Sequence, residues 1–334
     1  MNLEKLKFPI GRFVKPEIIT EVIISQWISD ISTFSERLKS EVIHLTDEQL
    51  DTPYRPDGWT IRQVIHHCAD SHMNSFTRLK LTLTEDRPIV RPYFEERWAE
   101  LSDSKIFPIH SSLNMLEGIH ERWSFLLKNL TNFDLERIYI HPEHGTQFRI
   151  DEYIGLYAWH CNHHLSHITS LKKMKIIQYS SEFKNEIKRL NIEWLEKYFT
   201  VEKNDTVQLS DPENEIINKG GQIYYCSFDN QIVGTVTLMK IDDITYELGK
   251  MAVSEKYQGI GVGKKLLEHC ILEAGKLNLE RIILFSNTLL ESAIHLYKKY
   301  GFIEVEMDKP HYKRANIKME LEIKTNILKT MNFK

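Results

Sequence analysis

The chain has 334 residues, long for one compact core, so two domains of roughly 150–180 residues each are expected. Its 42% hydrophobic and 27% charged residues are those of a folded globular protein, and a net charge of -4 argues against nucleic acid, whose phosphates need a basic surface. No run approaches the roughly 20 apolar residues of a membrane span, and the opening MNLEKLKFPIGRF has no signal-peptide core, so a cytoplasmic protein with no membrane partner is expected.

From Pro16 to about Met174 the rhythm is helical. Pro16 suits a first helical position, and Ile18, Val22, Ile23, Trp27, Ile31, Phe34 and Leu38 recur mostly at spacings of three and four. Thr46 with Gln49, and Thr60 with Gln63, have the capping-box spacing that marks a helix start. Further helices are predicted over residues 60–83, 111–130 and 151–174, with a short hairpin around His144 and Gly145 between the last two. These make an all-α four-helix bundle over residues 1–174, a fold whose interior collects sites from facing side chains. After Lys175 the texture changes. IIQYSS, GQIYYCSF, QIVGTVTLMK, ITYELGKMAV, RIILFSN and ANIKMELEI read as strands, interleaved with helices over residues 261–276 and 290–300. A mixed α/β domain over residues 175–324 is predicted, followed by a loose tail over 325–334. Cys68, Cys161, Cys226 and Cys270 show no CxxC spacing, so disulfides and cysteine metal ligands are not expected.

The stretch YAWHCNHHLSHI holds two histidine pairs four apart, His160 with His164 and His163 with His167. Residues four apart stand one above the other on a helix, close enough to share an ion. The apolar stripe is Tyr153, Tyr157, Cys161, Leu165, Ile168 and Leu171. His164 falls inside it and His160 beside it, while His167 sits on its margin and His163 farther out. A third ligand must come from another helix, and IRQVIHHCADSH offers three. His72 sits mid-stripe, the position of a buried core histidine; His67 shares a polar ridge with Ser71, Asn74 and Arg78; His66 points away from both. Periodicity leaves His67 and His72 both open.

The segments DEQLDTPYRPDGWTIRQVIHHCADSH, LTEDRPIVRPYFEERWAELSDS, HPEHG and LYAWHCNHHLSHI resemble the DinB superfamily, in its YfiT-like branch of metal-dependent hydrolases that includes bacillithiol S-transferases. The resemblance spans nearly the whole first half. It implies a four-helix bundle holding one divalent ion, zinc or nickel, through His67, His160 and His164. Three neutral histidines leave coordination positions open, so the ion can activate water for hydrolysis or a small-molecule thiol for transfer to an electrophile. Asn74 and Arg78 are candidates to orient an anionic thiol, and Asp70 to support a ligand. Resemblance to dimeric bundles also implies a homodimer.

Farther on, KMAVSEKYQGIGVGKKLLEHC places Gln258, Gly259, Gly261 and Gly263 between a strand and a helix, where backbone amides approach a phosphate. The spacing is neither GxGxxG nor GxxxxGK. Residues 176–323 resemble the GNAT acetyltransferases, whose pyrophosphate motif Q/R-x-x-G-x-G/A is matched by Gln258, Gly261 and Gly263. The resemblance implies an acetyl-CoA site of Met251, Ala252, Val253, Gln258, Gly259, Ile260, Gly261, Val262, Gly263, Lys264, Asn287 and Tyr297. The backbone of Met251 and Val253 bonds the pantetheine arm, and SNTLLESAIHLYKKYGF supplies the rest of the CoA motif. An amine attacks the thioester, an amide near Val253 steadies the oxyanion and Tyr297 protonates the leaving thiolate, with Tyr300 its nearby rival. Glu247 stands where a base acting through water would, or where an ordinary exposed strand residue would.

The combined expectation is a bifunctional enzyme in which a thiol is joined to an electrophile and an amine of the product is then acetylated. The competing reading keeps only the acetyltransferase catalytic and makes the bundle a metal-binding structural or regulatory module.

Overall fold

The computed structural model describes residues 3–142, 146–307 and 313–323. The turn expected at His144 and Gly145 and the tail 325–334 lie outside them, as does the side chain of Leu171. The chain divides into two compact units, Met1–Leu171 and Lys172–Lys334. No helix among the described residues is long and apolar enough to cross a membrane.

The first unit is a bundle of four long helices: α1 (Glu21–Val42), α2 (Ile61–Thr84), α3 (His110–Lys128) and α4 (Ile150–Thr169). Both α1 and α2 pack against α3 and α4. The two helices that come first in sequence therefore sit diagonally, and the segment joining them crosses the bundle. The α2 capping box is present: Thr60 Oγ1 accepts from the Gln63 amide at 3.1 Å, and Gln63 Oε1 accepts from the Thr60 amide at 2.9 Å. Thr46 and Gln49 do the same for a one-turn helix, Asp47–Leu50.

Two expected boundaries are corrected. Helix α1 starts at Glu21 and not at Pro16, because Thr20 is extended and its hydroxyl accepts from the Ile23 amide, closing the first turn there. Ile18 precedes the helix and Val22 lies on its outer face, both exposed, while Ile31, Phe34 and Leu38 are fully buried. Helix α4 ends at Thr169 instead of Met174. A tight turn, Ser170–Lys173, follows, and Met174 opens a strand of the second unit.

Before α4, strands β1 (Ile138–His141) and β2 (Thr146–Arg149) form an antiparallel hairpin, Ile138 opposite Arg149. Gly155 of α4 lets α1 come close: a Cβ there would lie 2.7 Å from the ring of Trp27. The core gathers Phe34, Leu38, Ile61, Ile65, Leu116, Trp123, Tyr153 and Ile154 from all four helices.

The second unit is a seven-stranded sheet of β3 (Met174–Gln178), β4 (Gln222–Phe228), β5 (Gln231–Lys240), β6 (Thr245–Val253), β7 (Arg281–Ser286), β8 (Ile303–Val305) and β9 (Ile317–Glu322). Their spatial order is β3-β4-β5-β6-β7-β9-β8. Every pair is antiparallel except β6 with β7, and a parallel pair needs a crossover. The crossover is α7 (Val262–Lys276), which follows α5 (Lys184–Tyr198) and α6 (Lys203–Ser210); α8 (Glu291–Lys299) comes after β7. Gly234 of β5 is the seat of α7, since a Cβ there would meet Val262 at 2.7 Å and Leu266 at 2.9 Å.

Strands β6 and β7 pair only from Thr245 to Glu247, then part. On the other side of β6, the register with β5 shifts between Thr235 and Thr237, and Lys250 opposite them has φ +47. That strained backbone is anchored by its buried side chain, whose Nζ donates to Asp205 Oδ1 at 2.8 Å; Arg314 holds the other oxygen at 2.6 Å. Residues of β6 along the splay and the bulge, Glu247 to Val253, line a cleft.

Candidate functional site

In the bundle, His67 of α2 meets His160 and His164 of α4, and the three offer donor atoms within 4.8 Å of one another. Ring centroids stand 4.8 Å apart for His67 and His164, 5.5 Å for His67 and His160, and 4.5 Å for His160 and His164. His67 and His164 are buried, whereas His160 keeps partial access to solvent. Burial pushes His67 down to about 4, and burial reinforced by neighbouring histidines puts His160 and His164 well below the usual range. All three are neutral at pH 7, the state a ligand must have.

This set fits a divalent ion. Nitrogens bound at about 2.0–2.1 Å around a tetrahedral ion lie roughly 3.3 Å apart, and the donor atoms here stand within 4.8 Å of one another. No carboxylate belongs to the trio, so the positive charge of an ion would be left for polarising a bound group.

The neighbouring histidines are hydrogen-bonded or packed against aromatic rings. His66, expected to point away, is buried; its Nε2 donates to the Phe107 carbonyl at 3.1 Å, leaving Nδ1 to accept from Ser112 at 2.8 Å. His72 is fully buried between His120 and His160, in hydrogen-bond contact with each. His163 is buried too, contrary to its place far from the apolar stripe. A single-helix wheel cannot register that Phe8, from the chain's first segment, folds over this face, with Trp159 stacked on His163 at 4.5 Å. His167 lies under Tyr54, stacked at 3.9 Å. Asn74 donates to the Asp70 carbonyl and Arg78 to that of Arg91, so both amide and guanidinium are at least partly committed to backbone. Asp70 is held up to about 6 by burial and by Asp103, and makes no hydrogen bond to the trio among the described residues. Cys68 and Cys161 are buried free thiols, which burial keeps protonated.

In the second unit a cleft of about 760 Å³ lies in the splay. Glu247, Met251, Ala252, Val253, Gln258, Gly259, Gly261, Val262, Gly263, Lys264, Asn287 and Tyr297 line it. Ile260 is buried behind it. Gly259 and Gly261 have φ +79 and +87, left-handed positions that lead into α7, whose first residues line the cleft. A Cβ on Gly263 would crowd Met251 at 3.3 Å. The Tyr297 hydroxyl contacts Met251 Sδ at 3.8 Å, and burial raises its pKa to about 12, so it keeps its proton. Tyr300 instead donates to Glu268 and does not line the cleft. The Asn287 side chain is spent on backbone, donating to the Arg314 carbonyl and accepting from the Leu289 amide.

Comparison with known proteins agrees with both architectures. Residues 33–168 match the model of the DinB superfamily and residues 219–304 that of the acetyltransferase (GNAT) domain. A protein of Oceanobacillus iheyensis, named provisionally as a metal-dependent hydrolase, is 53% identical over 169 residues, covering 51% of this chain and 97% of the relative. The chain belongs to the DinB superfamily, with a GNAT domain following. A Bacillus cereus protein of the same provisional name is 51% identical over 171 residues, covering 51% of this chain and 98% of its own. Among solved structures, YfiT of Bacillus subtilis, described as having an unusual four-helix bundle topology, is 45% identical with a TM-score of 0.49, covering 49% of this chain and 94% of that one. A GNAT acetyltransferase of Staphylococcus aureus is 26% identical with a TM-score of 0.43, covering 45% and 99%.

Sequence reading overlooked His120 in the DinB unit, although it sits four after Leu116 and three before Trp123 on the buried face of α3. In the GNAT unit no helix was assigned over α5, whose Trp194, Leu195 and Tyr198 line the cleft.

Proposed function

We propose that the chain is a bifunctional enzyme: a divalent-metal-dependent DinB unit that activates a small-molecule thiol, of the bacillithiol kind, or water against an electrophile, and a GNAT unit that moves acetyl from acetyl-CoA to an amine. The observation that carries the first half is the neutral trio His67, His160 and His164, brought together from two helices with donor atoms within 4.8 Å of one another. A divalent ion held there, zinc or nickel, supplies Lewis acidity that lowers the pKa of water or a thiol toward neutrality. The chain's own part is to keep the three rings neutral and aligned.

In the GNAT unit, the β6 amides freed by the splay hold the pantetheine arm and the α7 amino end holds the pyrophosphate. Tyr297 passes its proton to the departing CoA thiolate as the amine bonds to the acetyl carbon. Glu247, in the same cleft, receives the proton of the attacking amine through water. The two activities meet if the amine belongs to the thiol conjugate.

Purified full-length protein is therefore incubated with a low-molecular-weight thiol, an electrophile and acetyl-CoA, and products are read by liquid chromatography and mass spectrometry. An acetylated conjugate is expected. Conjugate without acetylation breaks the coupling, and acetyl-CoA turnover on other amines without any thiol or hydrolytic chemistry leaves the bundle a structural or regulatory module. His160→Ala is expected to lose bound metal in elemental analysis, together with thiol or water turnover, and to keep acetyl transfer.

A further inference from the structure

Two runs of imidazoles lead away from the trio, and each ends on a backbone carbonyl. His120 Nδ1 lies 2.6 Å from the Ile31 carbonyl oxygen. A carbonyl can only accept, so His120 donates from Nδ1. Burial holds His120 down at about 4, so the ring is neutral with a single N–H, and its Nε2 must accept. The donor is His72 Nδ1 at 2.8 Å. His72 is fully buried and already donates from Nδ1, so its Nε2 accepts, and His160 Nδ1 donates to it at 3.0 Å. His160 is thereby an Nδ1–H tautomer with its lone pair on Nε2.

The second run is shorter. His167 Nε2 donates to the Lys7 carbonyl at 3.0 Å, which leaves its Nδ1 to accept from His164 Nδ1 across a longer 3.4 Å contact. His164 too carries its free lone pair on Nε2. Packing holds the relay rings in register: Phe34 lies 5.2 Å from His72 and 5.3 Å from His120, and Tyr54 covers His167.

We propose that His72, His120 and His167 are positioning residues, through which the Ile31 and Lys7 carbonyls fix His160 and His164 as Nδ1–H tautomers and so present two unprotonated Nε2 atoms to the ion. Which nitrogen of a histidine binds metal is set by the hydrogen bond that the other nitrogen makes. The inference rests on the metal site of the proposed function, but its first consequence is a property of the metal-free protein.

The test uses the full-length chain, ¹⁵N-labelled and freed of metal. Long-range proton–nitrogen correlation spectra are expected to show His72, His120, His160 and His164 protonated at Nδ1 and His167 at Nε2. Zinc affinity is then measured by competition with a chromophoric chelator, and circular dichroism checks that each variant is folded. His72→Leu removes the acceptor facing His160 and is expected to weaken zinc binding about 10–100-fold, while His72→Gln, whose carbonyl can accept in its place, recovers most of it. An Nε2–H form of His160 or His164 in the metal-free wild type overturns the proposal, as does wild-type zinc affinity in folded His72→Leu. If the wild-type chain binds no zinc or nickel, the metal reading falls, and the spectra still decide the relays.

Discussion

A buried phenol and a buried imidazole show how one physical term can prepare opposite chemistries. Loss of water disfavours charge, so Tyr297 keeps a proton to give while the histidine trio keeps lone pairs to bind with. Tyr297→Phe is expected to lower kcat for acetyl transfer by about 10²-fold or more with little change in KM for acetyl-CoA, because the hydroxyl acts only as the thiolate leaves. Steady-state kinetics with a good amine acceptor checks it; an unchanged kcat would remove Tyr297 from the proton path. At this scale the sequence was legible where a residue belongs to a periodic element. His160 and His164 were placed together by their spacing of four, whereas the choice between His67 and His72 needed the facing helix. His72 is the case in point: its mid-stripe position read as plain core, and it does sit in the core, yet both ring nitrogens are engaged in a chain that reaches His160.

Elements were legible through their ends more than their middles. Both Thr–Gln capping boxes stand where the four-residue pattern put them, because the donors they satisfy are local. Helix α5 was not assigned from the sequence, although Ile187, Leu190, Asn191 and Leu195 line its buried face. Gly155 is an element-scale feature that no pattern announces. In a helix interior, glycine costs about 1 kcal/mol relative to alanine, so Gly155→Ala would stabilise α4 if only the helix mattered. Here the new Cβ would stand 2.7–2.9 Å from three carbons of the Trp27 ring, and overpacking of that sort costs typically 1–3 kcal/mol. The contact outweighs the propensity. Gly155→Ala is expected to lower the denaturation midpoint followed by circular dichroism, and Trp27→Leu combined with it to recover the helix-propensity gain relative to Trp27→Leu alone. A stabilised single variant would mean that α1 and α4 can separate at no cost.

At the scale of the whole chain, two architectures with separate cores were visible as a change of rhythm near residue 175, while strand order and the bundle's diagonal connection depend on contacts distant in sequence. The histidine-rich interior also gives the metal-free bundle a pH response. In the folded chain His67 and His120 are held at about 4 and His167 at about 3, against about 6.5 when unfolded. Between those values the unfolded chain binds more protons, so folding stability rises with pH across roughly 4 to 6.5 and is lost as pH falls. Each fully desolvated histidine contributes up to about 1.4 kcal/mol per pH unit within the window. Asp70 opposes with one proton: raised to about 6 from 3.8, it makes the folded chain the better proton binder between those values. Three or more histidines against one carboxyl leave the net sign with the histidines. Urea unfolding of chelator-treated protein, followed by tryptophan fluorescence, is expected to show a midpoint that climbs from pH 5 to pH 7 and levels above it. Added zinc should steepen the climb, since an ion that binds only unprotonated rings stabilises the folded state most where protons no longer compete. A midpoint flat across this range would mean that the histidines are protonated in place, and with them the relays and the ligand trio would lose their shared premise.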